Sequence, residues 1–459
     1  MKKTLLLACV GLILSSQFST LNSQEQPHVK TGWTFGVLPS VAFDADLGFQ
    51  YGALTNLYYY GDGSTYPEYL HSIYAEAAYT TKHFGIFRLS YDSKYLIPNH
   101  RLSVDIAYLP DQLCDFYGFN GYESHLNAGY IDQSSLDEYI SRAYYKYRRD
   151  LFRFAADLTG EISKPWYWNG GLGVLWFGVG STDIERLNSF TKNEEKKLPD
   201  TTSLFDQYVK YGYISTAETQ GGAFPYLHGG VTYDTRDRLT NPSSGIHADA
   251  FITGFVDLGE AREFHNIKLN ANFRHYLTLW PDRLILAYRL GTQLTLAGNS
   301  PFYLNTYLNQ TYYQRAAYEG LGGASSVRGM MRNRVLAPGV AFANIELRTH
   351  LFGFTIGKNY FSVGINPFVD AGMVVQPYEK VVADPENVVL RRVDGDPSPA
   401  IDPSCYDDSR LYAPHFTGGC GLKLAMNTNF VLSVDWATSF DKQDNPKVSN
   451  LYIKMGYMF

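Results

Sequence analysis

The chain is short of charge, of cysteine and of long apolar runs. Only 18% of its 459 residues are charged, below the ~25% usual for soluble domains. Past the N-terminus there is no apolar run of about 18 residues, which excludes a helical membrane protein. Amphipathic stretches rich in Ala, Leu, Glu and Lys are scarce, so a cytosolic α/β enzyme fits poorly. Four cysteines do not make a disulfide framework, and the spacing of Cys114, Cys405 and Cys420 is not that of a zinc site. A net charge of -6 gives no argument for nucleic-acid binding. No Ser–His–Asp arrangement, no carboxylate pair with a defined task and no metal spacing can be placed. The reading is therefore of a protein that is not an enzyme, with no catalytic residue, metal or cofactor.

Aromatics and glycine are abundant. Hydrophobic residues reach 45% and aromatics 15%, with 37 Tyr and 41 Gly, ample for a buried or lipid-facing surface. The N-terminus reads as a secretory leader: basic Met1-Lys2-Lys3, apolar Leu5 to Leu14, then the small residues Ser15, Ser16, Ser19 and Ser23. The expected organisation is a signal peptide over 1–23, a short periplasmic segment over 24–31 and one folded domain over 32–459. Cys9 lies inside the apolar stretch, whereas a lipoprotein cysteine follows it.

Beyond the leader the polarity alternates with period two, the signature of strands. Ala341, Ala343, Ile345, Leu347 and Leu351 share one face, with Asn344, Glu346, Arg348 and His350 on the other. Phe361, Val363, Ile365 and Val369 oppose Ser362, Asn366, Phe368 and Asp370. At the end, Leu451, Ile453, Met455, Tyr457 and Phe459 oppose Tyr452, Lys454, Gly456 and Met458. Such a pattern fits a soluble sheet wetted on one side or a membrane barrel with a polar lumen. Four features favour the barrel: the leader, the terminal aromatic, tyrosine enough for interfacial girdles, and connections that alternate short and long.

Sixteen strands are read, at 33–43, 47–60, 69–81, 84–96, 100–109, 138–162, 165–181, 224–236, 246–257, 262–280, 283–297, 340–352, 360–374, 412–426, 429–440 and 450–459. The segment 138–162 contains Arg148-Arg149-Asp150 and could be broken by a turn; the even strand number of single-chain barrels favours leaving it whole. Trp280-Pro281-Asp282 and Asn241-Pro242-Ser243-Ser244-Gly245 read as short turns. Long loops near 110–137, 182–223, 298–339 and 375–411 are expected outside the cell. The last of these is acidic (Asp384, Glu386, Asp394, Asp396, Asp402, Asp407, Asp408), which suits solvation more than calcium.

The most informative stretch is Gly320-Leu321-Gly322-Gly323-Ala324-Ser325-Ser326-Val327-Arg328-Gly329-Met330, in the loop after the eleventh strand. A glycine-rich approach to a single arginine presents one cation on a tight backbone. A surface loop with an incidental arginine reads the same way, whereas a phosphate loop would need Lys-Ser/Thr before a helix. Val327-Arg328-Gly329-Met330 resembles the Val-Arg-Gly-aromatic motif of the BamA/TamA-like surface-antigen superfamily of outer-membrane barrels. Thr232 to Asp237 followed by Asn241 to Gly245, Phe368-Val369-Asp370-Ala371-Gly372 and the terminal Phe459 are similar to further motifs of that family. Met330 stands where the family usually has an aromatic.

The resemblance implies an all-β, 16-stranded antiparallel transmembrane β-barrel in the bacterial outer membrane, with the loop between strands 11 and 12 folded inward. It implies that Arg328 enters the lumen, where parity places Glu346 and Asp370 as acidic partners, and that Tyr457 and Phe459 belong to a C-terminal assembly signal. It also implies a role in membrane insertion or translocation of proteins or lipids. Family members with such roles carry polypeptide-transport-associated repeats before the barrel. Residues 24–31 cannot hold one, so delivery would fall to a separate periplasmic or lipoprotein partner alongside the outer-membrane lipids. A passive small-solute channel and a surface structural or adhesive barrel are the alternatives.

Overall fold

A computed structural model describes residues 29–459 except 136, 240, 310–318, 358, 380–407, 428–429 and 447–449. The leader, Cys9, Cys405 and most of the acidic loop lie outside the described residues. The chain forms one antiparallel sheet closed into a barrel. Its strands are β1 (Trp33–Asp44), β2 (Gly48–Tyr59), β3 (His71–Thr80), β4 (Gly85–Ile97), β5 (His100–Asp115), β6 (Lys146–Ser163), β7 (Trp166–Gly180) and β8 (Gly222–Asp234). They continue with β9 (Gly245–Phe255), β10 (Asn266–Trp280), β11 (Leu284–Gly298), β12 (Gly339–Thr349, resuming as Phe352–Ile356), β13 (Asn359–Gln376), β14 (His415–Met426), β15 (Phe430–Ser439) and β16 (Asn450–Met455). Both pieces of β12 pair with β13, from Glu346↔Phe368 and then from Phe352↔Val363. The interruption therefore holds one extra residue, a bulge within a single strand, and the strand number is sixteen.

Period-two alternation builds the wall. Leu227, Ile252, Leu290, Ile345 and Leu422 point outward and are at least half exposed, whereas Asn344, Glu346, Asn366, Asp370 and Asp435 are buried inside. A slip of one residue would put every one of those polar groups in lipid, which fixes the register. Short turns at one end use left-handed Asn99 (φ 62°), Asp282 (φ 57°) and Asn427 (φ 49°), residue types that tolerate this conformation.

The long connections at the other end cap the lumen. They carry short helices α1 (Ile184–Ser189), α2 (Leu204–Lys210) and α3 (Thr216–Thr219). The last two begin with reciprocal caps, Ser203 with Asp206 and Ser215 with Glu218, which satisfy the free amides of the first turn. Phe116, Phe119, Tyr147, Phe205, Tyr208 and Phe302 stack edge to face in one buried cluster. Some of the tyrosine expected in interfacial girdles, Tyr147 and Tyr208 among it, thus sits in this cap.

Two expectations are corrected at strand ends. β6 is unbroken but starts at Lys146, because 141–145 fold into the cap. β16 stops at Met455: Gly456 adopts φ 81° and turns the chain into the lumen. Alternation put Tyr457 and Phe459 on one face with Leu451 and Ile453, opposite Met458, but a left-handed residue resets the parity, and Met458 and Phe459 are both buried against Tyr276 and Ala287.

Barrel closure is uneven. β5 and β6 pair from His100↔Gly160 to Asp115↔Lys146. Across the seam, β1 meets β16 at only two positions, Phe43↔Ile453 and Asp44↔Tyr452.

Candidate functional site

The loop between β11 and β12 enters the barrel. Gly322, Gly323 and Gly329 have positive φ, which lets the backbone turn tightly around Ser326, whose hydroxyl accepts from the Gly322 amide and donates to the Gly322 carbonyl. Gly329 (φ 92°) rests against the β15 backbone. A Cβ there would lie 3.0 Å from the Thr438 carbonyl carbon.

Arg328 is fully buried. Its Nε and Nη2 grip both oxygens of Asp370 on β13 at 2.8 and 3.0 Å, and its backbone amide donates to the same carboxylate at 3.1 Å. Nη1 donates to Glu346 Oε1 on β12 at 2.7 Å and lies 3.8 Å from Asp435 on β15. The guanidinium lies over the Phe368 ring, 3.5 Å from its centre. One forked cation thus joins three strands, a bidentate geometry that lysine cannot reproduce. Val327 and Met330 are buried on either side, against Leu321, Val335 and Val374. The structure brings Val327, Arg328, Gly329, Met330, Glu346 and Asp370 together at one place. Tyr457 and Phe459 lie one step away: Arg348 donates to Glu346 at 3.1 Å and to the Phe459 carbonyl at 2.8 Å, and stacks on Tyr457.

The loop also holds the seam strand. The Gly329 amide donates to the Tyr452 hydroxyl at 3.2 Å, and Lys454 donates to the Ala324 carbonyl at 3.3 Å. Asn445, just before β16, donates to the Gly329 carbonyl at 2.9 Å.

Sequence reasoning missed two more buried arginines. Arg332 pairs with Asp111 on β5 and donates to the Cys114 sulfur at 3.3 Å. Arg334 donates to the Ser124 carbonyl at 2.6 Å and the Gln443 carbonyl at 3.0 Å. The run Met331-Arg332-Asn333-Arg334 directly after the motif was the available signal. Parity already puts Arg348 on the same face as Glu346, two residues away, without giving it a partner. Around the cap, Glu218 accepts from the Phe302 amide and the Tyr378 hydroxyl, and burial pushes its carboxyl up. Burial likewise pushes Glu319, beside Arg332, up to about 7. Cys114 is buried and Cys420 is exposed on the outward face. Among the described residues no group of His, Cys, Asp and Glu is placed to hold a metal ion.

A sequence profile described as the Omp85 superfamily domain matches residues 117–459. No curated protein matches the chain. The fold is similar to that of BamA from Haemophilus ducreyi lacking POTRA domains 1-3, with a TM-score of 0.51 and 16% identity over 93% of this chain and 70% of that one. It is also similar to CdiB from Escherichia coli, with a TM-score of 0.53 and 11% identity over 94% of this chain and 63% of that one.

Proposed function

This chain belongs to the Omp85 superfamily and is an outer-membrane barrel, and from that premise we propose that it assists insertion or translocation of proteins or lipids at the outer membrane. The observation that carries the reading is the seam: two residue pairs close the barrel, beside a strand tied to an internal loop by Tyr452 and Lys454. Unpaired backbone groups in lipid cost several kcal/mol each, so a short seam is the cheapest place to part the wall. Arg328, with Asp370 and Glu346, is the lock that keeps the loop against that wall. A separate periplasmic or lipoprotein partner would bring the client to the short-turn end, and residues 1–23 would be removed on export.

A staple across the seam tests this. Phe43→Cys with Ile453→Cys should, once oxidised, stop the protein from accelerating insertion of an unfolded outer-membrane barrel into liposomes. Ile106→Cys with Phe154→Cys, at a β5–β6 pair, should leave the rate unchanged. Equal rates with the seam stapled and open would overturn the reading. The loop occupying the lumen favours this role over a passive channel. Conductance in planar bilayers should accordingly be low, and large steady porin-like currents would restore the channel.

A further inference from the structure

The ladder of the seam stands at one end of the wall. Its two pairs use Phe43 and Asp44, the last residues of β1, so it ends at the turn 45–47, on the side of the cap. Leu47 packs against the aromatic cluster there. Two polar side chains shape the turn. Asp44 Oδ1 accepts from the Asp46 and Leu47 amides at 2.7 and 3.3 Å, and Lys82, between β3 and β4, donates to the Ala45 carbonyl at 2.7 Å. A movement of this turn therefore acts directly on the ladder.

Asp46 lies at the centre of the turn. Its Oδ2 is buried and meets no hydrogen-bond partner among the described residues. The charged and titratable groups that face it are Asp44, Lys82, Asp115, Arg332, Tyr117 and Tyr452. Both cations have other partners: Lys82 holds the Ala45 carbonyl, and Arg332 holds Asp111. Asp115 is taken by Lys146 and, at 2.9 Å, by the Tyr117 hydroxyl. Tyr452 is the β16 residue that pairs with Asp44. Ionised, Asp46 adds a third carboxylate beside two others, with no donor for its buried oxygen. Burial and neighbouring like charges both disfavour that form. Burial, with Asp44 and Asp115 beside it, pushes the Asp46 carboxyl from 3.8 up to about 8.

We propose that this turn is a proton-operated latch on the seam: while Asp46 carries a proton the turn stays on the cap and the ladder is closed, and when Asp46 ionises the turn lifts and the ladder frays from that end. The latch rests on the reading that the wall parts at the seam, and adds what governs the parting. Lifting the turn returns the carboxyl to water and to its ordinary value of 3.8. The closed seam therefore binds the proton more tightly than the open one. The proton's contribution to closure is complete below about pH 4 and is lost as pH rises through about 8.

The test follows maleimide labelling of Ile453→Cys in the full chain in nanodiscs, with Cys405 and Cys420 replaced by serine. Each rate is divided by that of Ile106→Cys in the β5–β6 wall, so that the ionisation of the thiol itself cancels. With Asp46 in place the ratio should rise between pH 5 and 8, by at most about tenfold per pH unit for one proton, and level off above about pH 8. Asp46→Asn keeps the shape of the protonated carboxyl, and its ratio should stay low and flat over the same range. If that variant does not fold, Asp46→Ala also removes the titrating group and should give a flat ratio. A ratio independent of pH with Asp46 in place, or a rise that persists in folded Asp46→Asn or Asp46→Ala, overturns the latch. Either result leaves the stapling experiment, made at one pH, to judge the insertion reading separately.

Discussion

The back of the barrel and its seam are held by different means. At the back, β5 and β6 run together along nearly their whole length, and a buried ion pair between Arg88 and Asp105, joined by Arg153, lies across β4 to β6. At the seam the ladder is two pairs long. β16 is held by six pairs to β15 on its other side and by side-chain bonds to a loop that is not part of the sheet. The back is held by its own ladder, whereas at the seam the loop's bonds supplement a short one. A wall built this way can open at one place without loosening elsewhere.

The sharpest way to break the comparison is Arg328→Ala. Removing one partner of a buried pair leaves stranded carboxylates and costs ~3–5 kcal/mol, so the folded band on semi-native gels should melt at lower temperature, and Asp370→Ala should act similarly. Arg153→Ala should cost a like amount of stability. Only Arg328→Ala, however, should speed thiol labelling of an Ile453→Cys reporter in the seam, and equal labelling in both would erase the distinction. Gly329→Ala comes next. It forces a side chain into φ 92° and onto the Thr438 backbone, at about 1–3 kcal/mol, and should also expose the seam reporter. Tyr452→Phe removes one acceptor for the loop, about 1 kcal/mol. Its labelling should rise slightly with the melting temperature nearly unchanged.

The last effect is one of pH. Glu319 has its carboxyl raised from 4.5 to about 7 by burial, so the folded state holds the proton more tightly than the unfolded state. That contribution is present below about pH 4.5 and is lost as pH rises through about 7. Proteolysis of the cap should be slower at pH 5 than at pH 8, and Glu319→Gln should flatten the difference.

The wall was legible because its physics is local. Alternation, turn residues and an even strand number gave sixteen strands, and parity alone turned Glu346 and Asp370 inward. The motif placed Arg328 in the right loop. The interior of the cap was not legible, because Phe116, Phe205 and Phe302 meet only after three distant loops converge. Arg332 and Arg334 look like surface cations until β5 and the 116–145 loop supply their partners. The inward turn at Gly456 was hidden for another reason: one left-handed glycine in an alternating segment leaves no trace in the pattern of polarity.

The three arginines of the β11–β12 loop make it a cross-brace. Arg328 reaches β12, β13 and β15, Arg332 reaches back 221 positions to Asp111 on β5, and Arg334 reaches back 210 to Ser124. Anchors so far apart in the chain tie its N-terminal and C-terminal parts to one another from inside, where the ladder that joins first and last strands in the wall is two pairs long. The loop thus does within the lumen what the seam is too short to do in the wall.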